Sequence, residues 1–156
     1  MRTTVIAVAV LSLASFTATP AFAQNENDSQ GTARLVKDCP YYDFTPWSFC
    51  TIGSSNIPEI PRGSKVYYTQ TTNIVPGIID SNVLLDAGNG NLATGRRTFY
   101  FPNPSTANGL CQYTDGIGQL AGFQARLVVT PIEGTSYNLI GPYQFKDANN
   151  QQTQSN

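Results

Sequence analysis

Ile78-Ile-Asp-Ser-Asn-Val-Leu-Leu-Asp-Ala-Gly-Asn-Gly-Asn-Leu-Ala-Thr-Gly-Arg-Arg-Thr-Phe-Tyr-Phe101 is the stretch that decides the fold class. Two runs rich in β-branched, aromatic and small residues flank Gly88-Asn89-Gly90, the kind of sequence that accepts the positive φ angles of a tight hairpin. If those three residues form the loop, Ala87 faces Asn91. Ile79, Val83, Leu85, Ala93, Phe99 and Phe101 then share one face, and Asp80, Asn82, Asp86, Thr94, Arg96, Thr98 and Tyr100 share the other. A two-residue loop would mix apolar and polar side chains on both faces. Ser81 and Arg97 fall on the apolar side, where a charge is costly unless it is paired.

Other segments repeat the alternation. Ala121, Phe123, Ala125, Leu127 and Val129 alternate with Gly122, Gln124, Arg126, Val128 and Thr130, and Tyr137, Leu139, Tyr143 and Phe145 lie on one side of a later run. Asp115-Gly116 reads as the turn ahead of the first of these. Further strands are expected over Lys65–Thr72, Ile78–Leu85, Leu92–Phe101 and Leu110–Thr114, with a shorter one near Ser48–Ile52. Within Asp38–Phe145 Gly and Pro recur so often that the longest interval without either is Ser64–Val75, which leaves little room for helices. About seven short strands predict an all-β domain, a small antiparallel β-barrel of seven to eight strands, with a β-sandwich as the alternative.

Outward from the sheet, the folded unit is expected over Asp38–Phe145. Residues 24–37 and 146–156 are polar and read as mobile tails; the first carries the sequon Asn27-Asp-Ser29, a glycosylation acceptor in a eukaryotic host. Residues 1–23 read as a secretory signal peptide: Arg2 precedes an apolar run from Val5 to Phe16, followed by Pro20 and Ala21-Phe22-Ala23. The run is too short and too interrupted for a membrane span, so no span is expected once the leader is cleaved, and the protein is expected to be secreted, extracellular or periplasmic.

Export makes the cysteines disulfide material. Cys39 and Cys50 enclose a Pro- and aromatic-rich loop, and closing it would stabilise the fold by about 3 kcal/mol in the chain-entropy account. Cys111 is left over and reads as a small buried hydrophobe; a Cys50–Cys111 pair is the alternative.

The 156-residue chain has no His and a net charge of −1. That composition removes the Ser-His-Asp triad, the Cys-His pair and the His-rich zinc site, and it offers no basic surface for nucleic acid. No metal and no cofactor is expected. Gly116-Ile-Gly118-Gln-Leu-Ala-Gly122 is not a nucleotide fingerprint, because a strand follows it and no helix N-terminus is available for a phosphate. Among the carboxylates, Asp80 and Asp86 stand in or at the end of a strand, on the same face as Arg96 and Tyr100, where cross-strand salt bridging to solvent is the plain reading. Asp43 and Glu59 are the acids placed to sit at a barrel mouth. Tyr41, Tyr42, Phe44, Trp47 and Phe49 cluster in and beside the cysteine loop, as a hydrophobic plug for one end of a barrel or as a lid over a ligand.

The run Thr114-Asp-Gly-Ile-Gly-Gln-Leu-Ala-Gly-Phe123 resembles the glycine-rich hairpin, Gly-Thr-Gly-x-Phe/Tyr-x-Gly, of small secreted barrels of the allene oxide cyclase and dirigent type. Gly116, Gly118, Leu120 and Gly122 match; Ile117 stands where the pattern has Thr, and Gln124-Ala-Arg126 departs from it. Ser48–Phe145 also resembles a group of small bacterial secreted proteins. The resemblance implies an eight-stranded antiparallel barrel, often a homo-oligomer, whose interior binds an apolar molecule and at times steers its cyclisation or coupling. No catalytic residue carries over, since the acids here fall in no matching motif.

The expected function is therefore a secreted barrel binding a small apolar or aromatic molecule, with cofactor-free cyclisation or stereochemical steering as its activity. Arg97, Tyr100, Asp80 and Trp47 are the candidate ligand contacts, with Arg97 foremost because of its register. The competing class is a non-enzymatic structural or interaction protein of the cell surface. A carboxylate-pair glycosidase needs a sugar cleft for which the chain leaves little room.

Overall fold

The Ile78–Phe101 hairpin closes as its glycines require. Gly88, Asn89 and Gly90 all take positive φ, the Ala87 amide donates to the Asn91 carbonyl at 2.9 Å, and Asn91 donates back to Gly88. In the computed structural model, which describes residues 30–72, 75, 77–101 and 107–146, this hairpin is one seam of a closed antiparallel barrel. Its strands are β1 (Gln30–Asp38), β2 (Phe49–Ser55), β3 (Lys65–Tyr68), β4 (Ile78–Asp86), β5 (Leu92–Tyr100), β6 (Asn108–Ile117), β7 (Phe123–Pro131) and β8 (Ser136–Phe145). They pair in chain order and β8 closes onto β1, so no strand edge is left open. The expectation of an all-β barrel holds; the sandwich does not form.

The three-residue-loop register is the one observed, with Ile79 opposite Phe99, Leu85 opposite Ala93 and Ser81 opposite Arg97. Ile79, Val83, Leu85, Ala93 and Phe99 are buried, together with Ser81 and Arg97, whereas Asp80, Asn82, Thr94, Arg96, Thr98 and Tyr100 face out. Odd positions of β1, Ala33, Leu35 and Lys37, point inward with them.

Two expectations are corrected here. Residues 30–37 are not a tail but the strand that closes the barrel, paired along its length with β8 from Gln30–Gln144 to Asp38–Ser136. Its alternation is hard to see in the sequence because its third inward position is Lys37 rather than an apolar residue. Asp115-Gly116 is not a turn. It lies inside β6, past a bulge at which Thr94 faces Asp115 and Gly95 faces Tyr113. The extra residue shifts the inward phase from Tyr113 to Gly116, where a Cβ would run into the Leu120 carbonyl. The chain turns instead through the short 3-10 segment Gly118–Leu120, between Gly118 and Gly122, both at positive φ.

The two ends of the barrel are closed differently. At the end reached by the C-termini of β2, β4 and β6, Leu120 and the loop residues Ile57 and Ile60 are buried beside Phe123 and Phe145. At the opposite end the Cys39–Cys50 disulfide ties the β1–β2 connection, and backbone bonds from Trp47 to Tyr68 and from Thr72 to Phe44 bind that loop to the end of β3 and the chain after it. Lys146, expected to begin the C-terminal tail, is held by a 2.9 Å bond to Gly122. The leader, the sequon and residues 147–156 lie outside the described residues. Among those described, no helix is long and apolar enough to cross a membrane.

Candidate functional site

Two basic side chains are sealed inside the barrel. Lys37, from β1, has no exposed surface, and Arg97, from β5, is 2% exposed. Both donate to one oxygen, the hydroxyl of Tyr68 at the end of β3: Lys37 Nζ at 2.6 Å, and Arg97 through Nη1. Tyr68 is itself fully buried. Antiparallel pairing assembles the group, since Lys37 faces Tyr137 across the β1–β8 seam and Arg97 faces Cys111 across β5–β6.

Aromatic rings form the walls. Lys37 Nζ stands 5.2 Å from the Tyr68 centroid and 5.8 Å from that of Tyr137; Arg97 Cζ is 4.9 Å from Phe99 and 5.5 Å from both Tyr68 and Tyr137. Such contacts partly offset the lost hydration of a buried cation. Tyr42 covers the cluster from the disulfide loop, with its ring 4.4 Å from Tyr68 and its hydroxyl bonded to Thr72. Of the expected aromatic plug, Tyr42 is the residue packed against the core: Tyr41 and Trp47 are well exposed, Phe44 lies against the Tyr42 ring at 4.9 Å, and Phe49 packs with Tyr67.

The electrostatics are unbalanced. Among the described residues the ion pair is Arg96 with Asp80, on the outer surface, and neither Lys37 nor Arg97 has a carboxylate within reach. Burial, and then the nearby Arg97 charge, holds Lys37 well below the usual lysine range. Burial also lowers Arg97, but a guanidinium does not lose its proton in a protein. The neighbouring acids do not supply the missing charge, because burial raises the Cys111 thiol and the Tyr113 phenol and keeps both neutral. Arg97 Nε is buried without a hydrogen-bond partner among the described residues. A positive charge is therefore enclosed with an unused donor beside it, an arrangement able to receive an anionic oxygen.

Of the four ligand contacts expected from sequence, the structure places Arg97 inside and the others elsewhere. Asp80 accepts from Arg96 Nη2 at 2.6 Å across the β4–β5 surface and lines an outer groove of about 480 Å³ with Gln70, Thr72 and Ile78. Tyr100 is 51% exposed and Trp47 60%. Asp43 is likewise outside, held low by the Thr45 hydroxyl and amide. Lys37 and Tyr68 were not singled out by sequence. Tyr68 shares the Val66 face of its strand, so the period-2 pattern carried that signal; Lys37 was hidden in a segment read as a tail. The disulfide is Cys39–Cys50, and Cys111 is free and buried. Among the described residues no cluster of acids and thiols suits a metal ion. Compared with protein-family models, with curated proteins and with solved structures, the chain matches none.

Proposed function

We propose that this barrel binds a small molecule with an apolar or aromatic body and an anionic head, the head resting on Arg97 and Lys37 inside the end covered by Tyr42. One observation carries the reading: a buried guanidinium and a buried amine converge on the Tyr68 hydroxyl with no carboxylate in reach among the described residues. A buried charge that is never compensated costs several kcal/mol, and an anionic ligand would remove that cost on binding. The body would lie against Phe99, Tyr137 and Tyr42, rings suited to an apolar or planar group. Steering of a ligand's cyclisation without a cofactor is the activity that the resemblance to allene oxide cyclase and dirigent barrels suggests, and the enclosed, aromatic-walled centre is compatible with it. Export is part of the proposal and is supported by the disulfide together with the leader-like N-terminus.

Native mass spectrometry of the protein purified from its own host tests this reading. A co-purifying small acid that is absent from Arg97→Met protein supports it; wild-type protein that carries no ligand and takes up none of a panel of aromatic and aliphatic acids contradicts it. The exposed rings of Tyr41 and Trp47 on the disulfide loop favour a second reading, a surface that meets a protein or glycan partner. That reading predicts loss of partner binding in Trp47→Ala with small-acid binding unchanged.

A further inference from the structure

Lys37 and Arg97 each lie within one hydrogen bond of the same phenol oxygen, which limits how far apart the groups of a ligand touching both can be. In an α-keto acid the ketone carbon is bonded directly to the carboxylate carbon, so a carboxylate on Arg97 brings the carbonyl beside Lys37 Nζ. Arg97 Nε, without a partner among the described residues, is a buried donor open to that carboxylate. A lysine desolvated next to another cation is the arrangement in which the amine is a nucleophile at neutral pH, and burial and Arg97 act on Lys37 in that sense.

We propose that Lys37 captures the ketone carbon of a small apolar or aromatic α-keto acid as an imine, with Arg97 holding the carboxylate and Tyr68 relaying the proton. The inference rests on the reading of the barrel interior as the ligand site. The Lys37 nitrogen lone pair attacks the ketone carbon, forming a C–N bond while the carbonyl oxygen takes up a proton. The resulting carbinolamine loses its oxygen as water, with the nitrogen proton released and the Tyr68 hydroxyl in place to deliver a proton to the departing oxygen. The C=O bond is exchanged for C=N, one water leaves, and no oxidant or reductant takes part.

The test uses the disulfide-intact protein with phenylpyruvate at neutral pH, and cyanoborohydride to reduce any imine to a stable amine. Peptide mapping should find a single adduct on Lys37, formed at least tenfold faster than adducts on the exposed lysines Lys65 and Lys146 or on the N-terminal amine. Excess phenylpropionate, which has the carboxylate and ring but no ketone, should suppress it, and Arg97→Met should slow it at least tenfold. Mapping the wild-type chain identifies the residue without relying on any Lys37 variant to fold. Adducts spread evenly over the lysines, or an unmodified Lys37, overturn the inference. If phenylpropionate nonetheless binds in a calorimetric titration, the imine step alone has failed; if it does not bind either, the ligand site has failed with it. Labelling of Lys37 that is unaffected in Arg97→Met removes the α-keto acid assignment.

Discussion

Lys37 and Arg97 enter the barrel from strands on different sides and meet on a single atom, the Tyr68 hydroxyl oxygen. Burial beside the Arg97 charge disfavours a second proton on Lys37, and the aromatic rings offset only part of the cost of the guanidinium that remains.

Replacing Arg97 by Met removes the charge and keeps most of the volume. The unliganded variant is expected to fold and to be at least as stable as wild type, with a gain on the order of 1 kcal/mol from losing an uncompensated buried ion. Chemical denaturation checks this. A loss of several kcal/mol would show that Arg97 holds the fold through its bonds to Tyr68 and the rings.

The lowered pKa of Lys37 makes stability depend on pH with a definite sign. Between the folded-state pKa and the ordinary value of 10.5, the unfolded chain binds a proton that the folded chain does not, so stability rises as pH increases. Cys111 and Tyr113, raised in the fold, act in the opposite sense once their unfolded forms ionise, the thiol being half ionised at 9.0, and that contribution is shared by Lys37→Met. Above the folded-state pKa of Lys37 and below 10.5, the slope of unfolding free energy against pH should exceed that of Lys37→Met by up to about 1.4 kcal/mol per pH unit. Equal slopes would mean that Lys37 keeps an ordinary pKa.

Cys111 is fully buried and unpaired, so a maleimide should leave it unmodified in the native protein and label it fully in denaturant. Non-reducing peptide maps should recover Cys39 linked to Cys50. Tyr42→Ala, which removes the ring over Tyr68, should speed native labelling of Cys111 by tenfold or more if that ring closes the mouth. An unchanged rate would place the cover elsewhere.

Gly90 and Gly122 share a positive φ, but a Cβ at Gly90 meets open space while one at Gly122 runs into the Lys146 carbonyl. Gly122→Ala should therefore cost about 1–3 kcal/mol more than Gly90→Ala in denaturant titrations. Similar costs would indicate that the end of β8 yields freely.

Much of the frame was legible in the sequence because period-2 alternation and a glycine-marked loop constrain a hairpin tightly. The β4–β5 register followed from them, and with it the inward direction of Arg97. Two features defeated the same reasoning. A bulge changes phase without a compositional mark, so Asp115-Gly116 looked like a turn. A strand whose inward row ends in lysine looks like a polar tail, so β1 was missed and Lys37 with it. The charge centre could not be assembled from sequence, because Lys37, Tyr68 and Arg97 lie on three strands that become neighbours across the interior only once β8 closes onto β1.

The most direct test of the central claim is a calorimetric titration of phenylpropionate into three refolded, disulfide-intact proteins: wild type, Arg97→Met and Arg96→Met. Arg96 is the neighbouring cation, exposed and already paired with Asp80, so its loss controls for charge alone. The account predicts saturable one-to-one binding in wild type and Arg96→Met and at least a tenfold loss of affinity in Arg97→Met. Binding that survives the loss of Arg97, or that is abolished equally by the loss of Arg96, would contradict it.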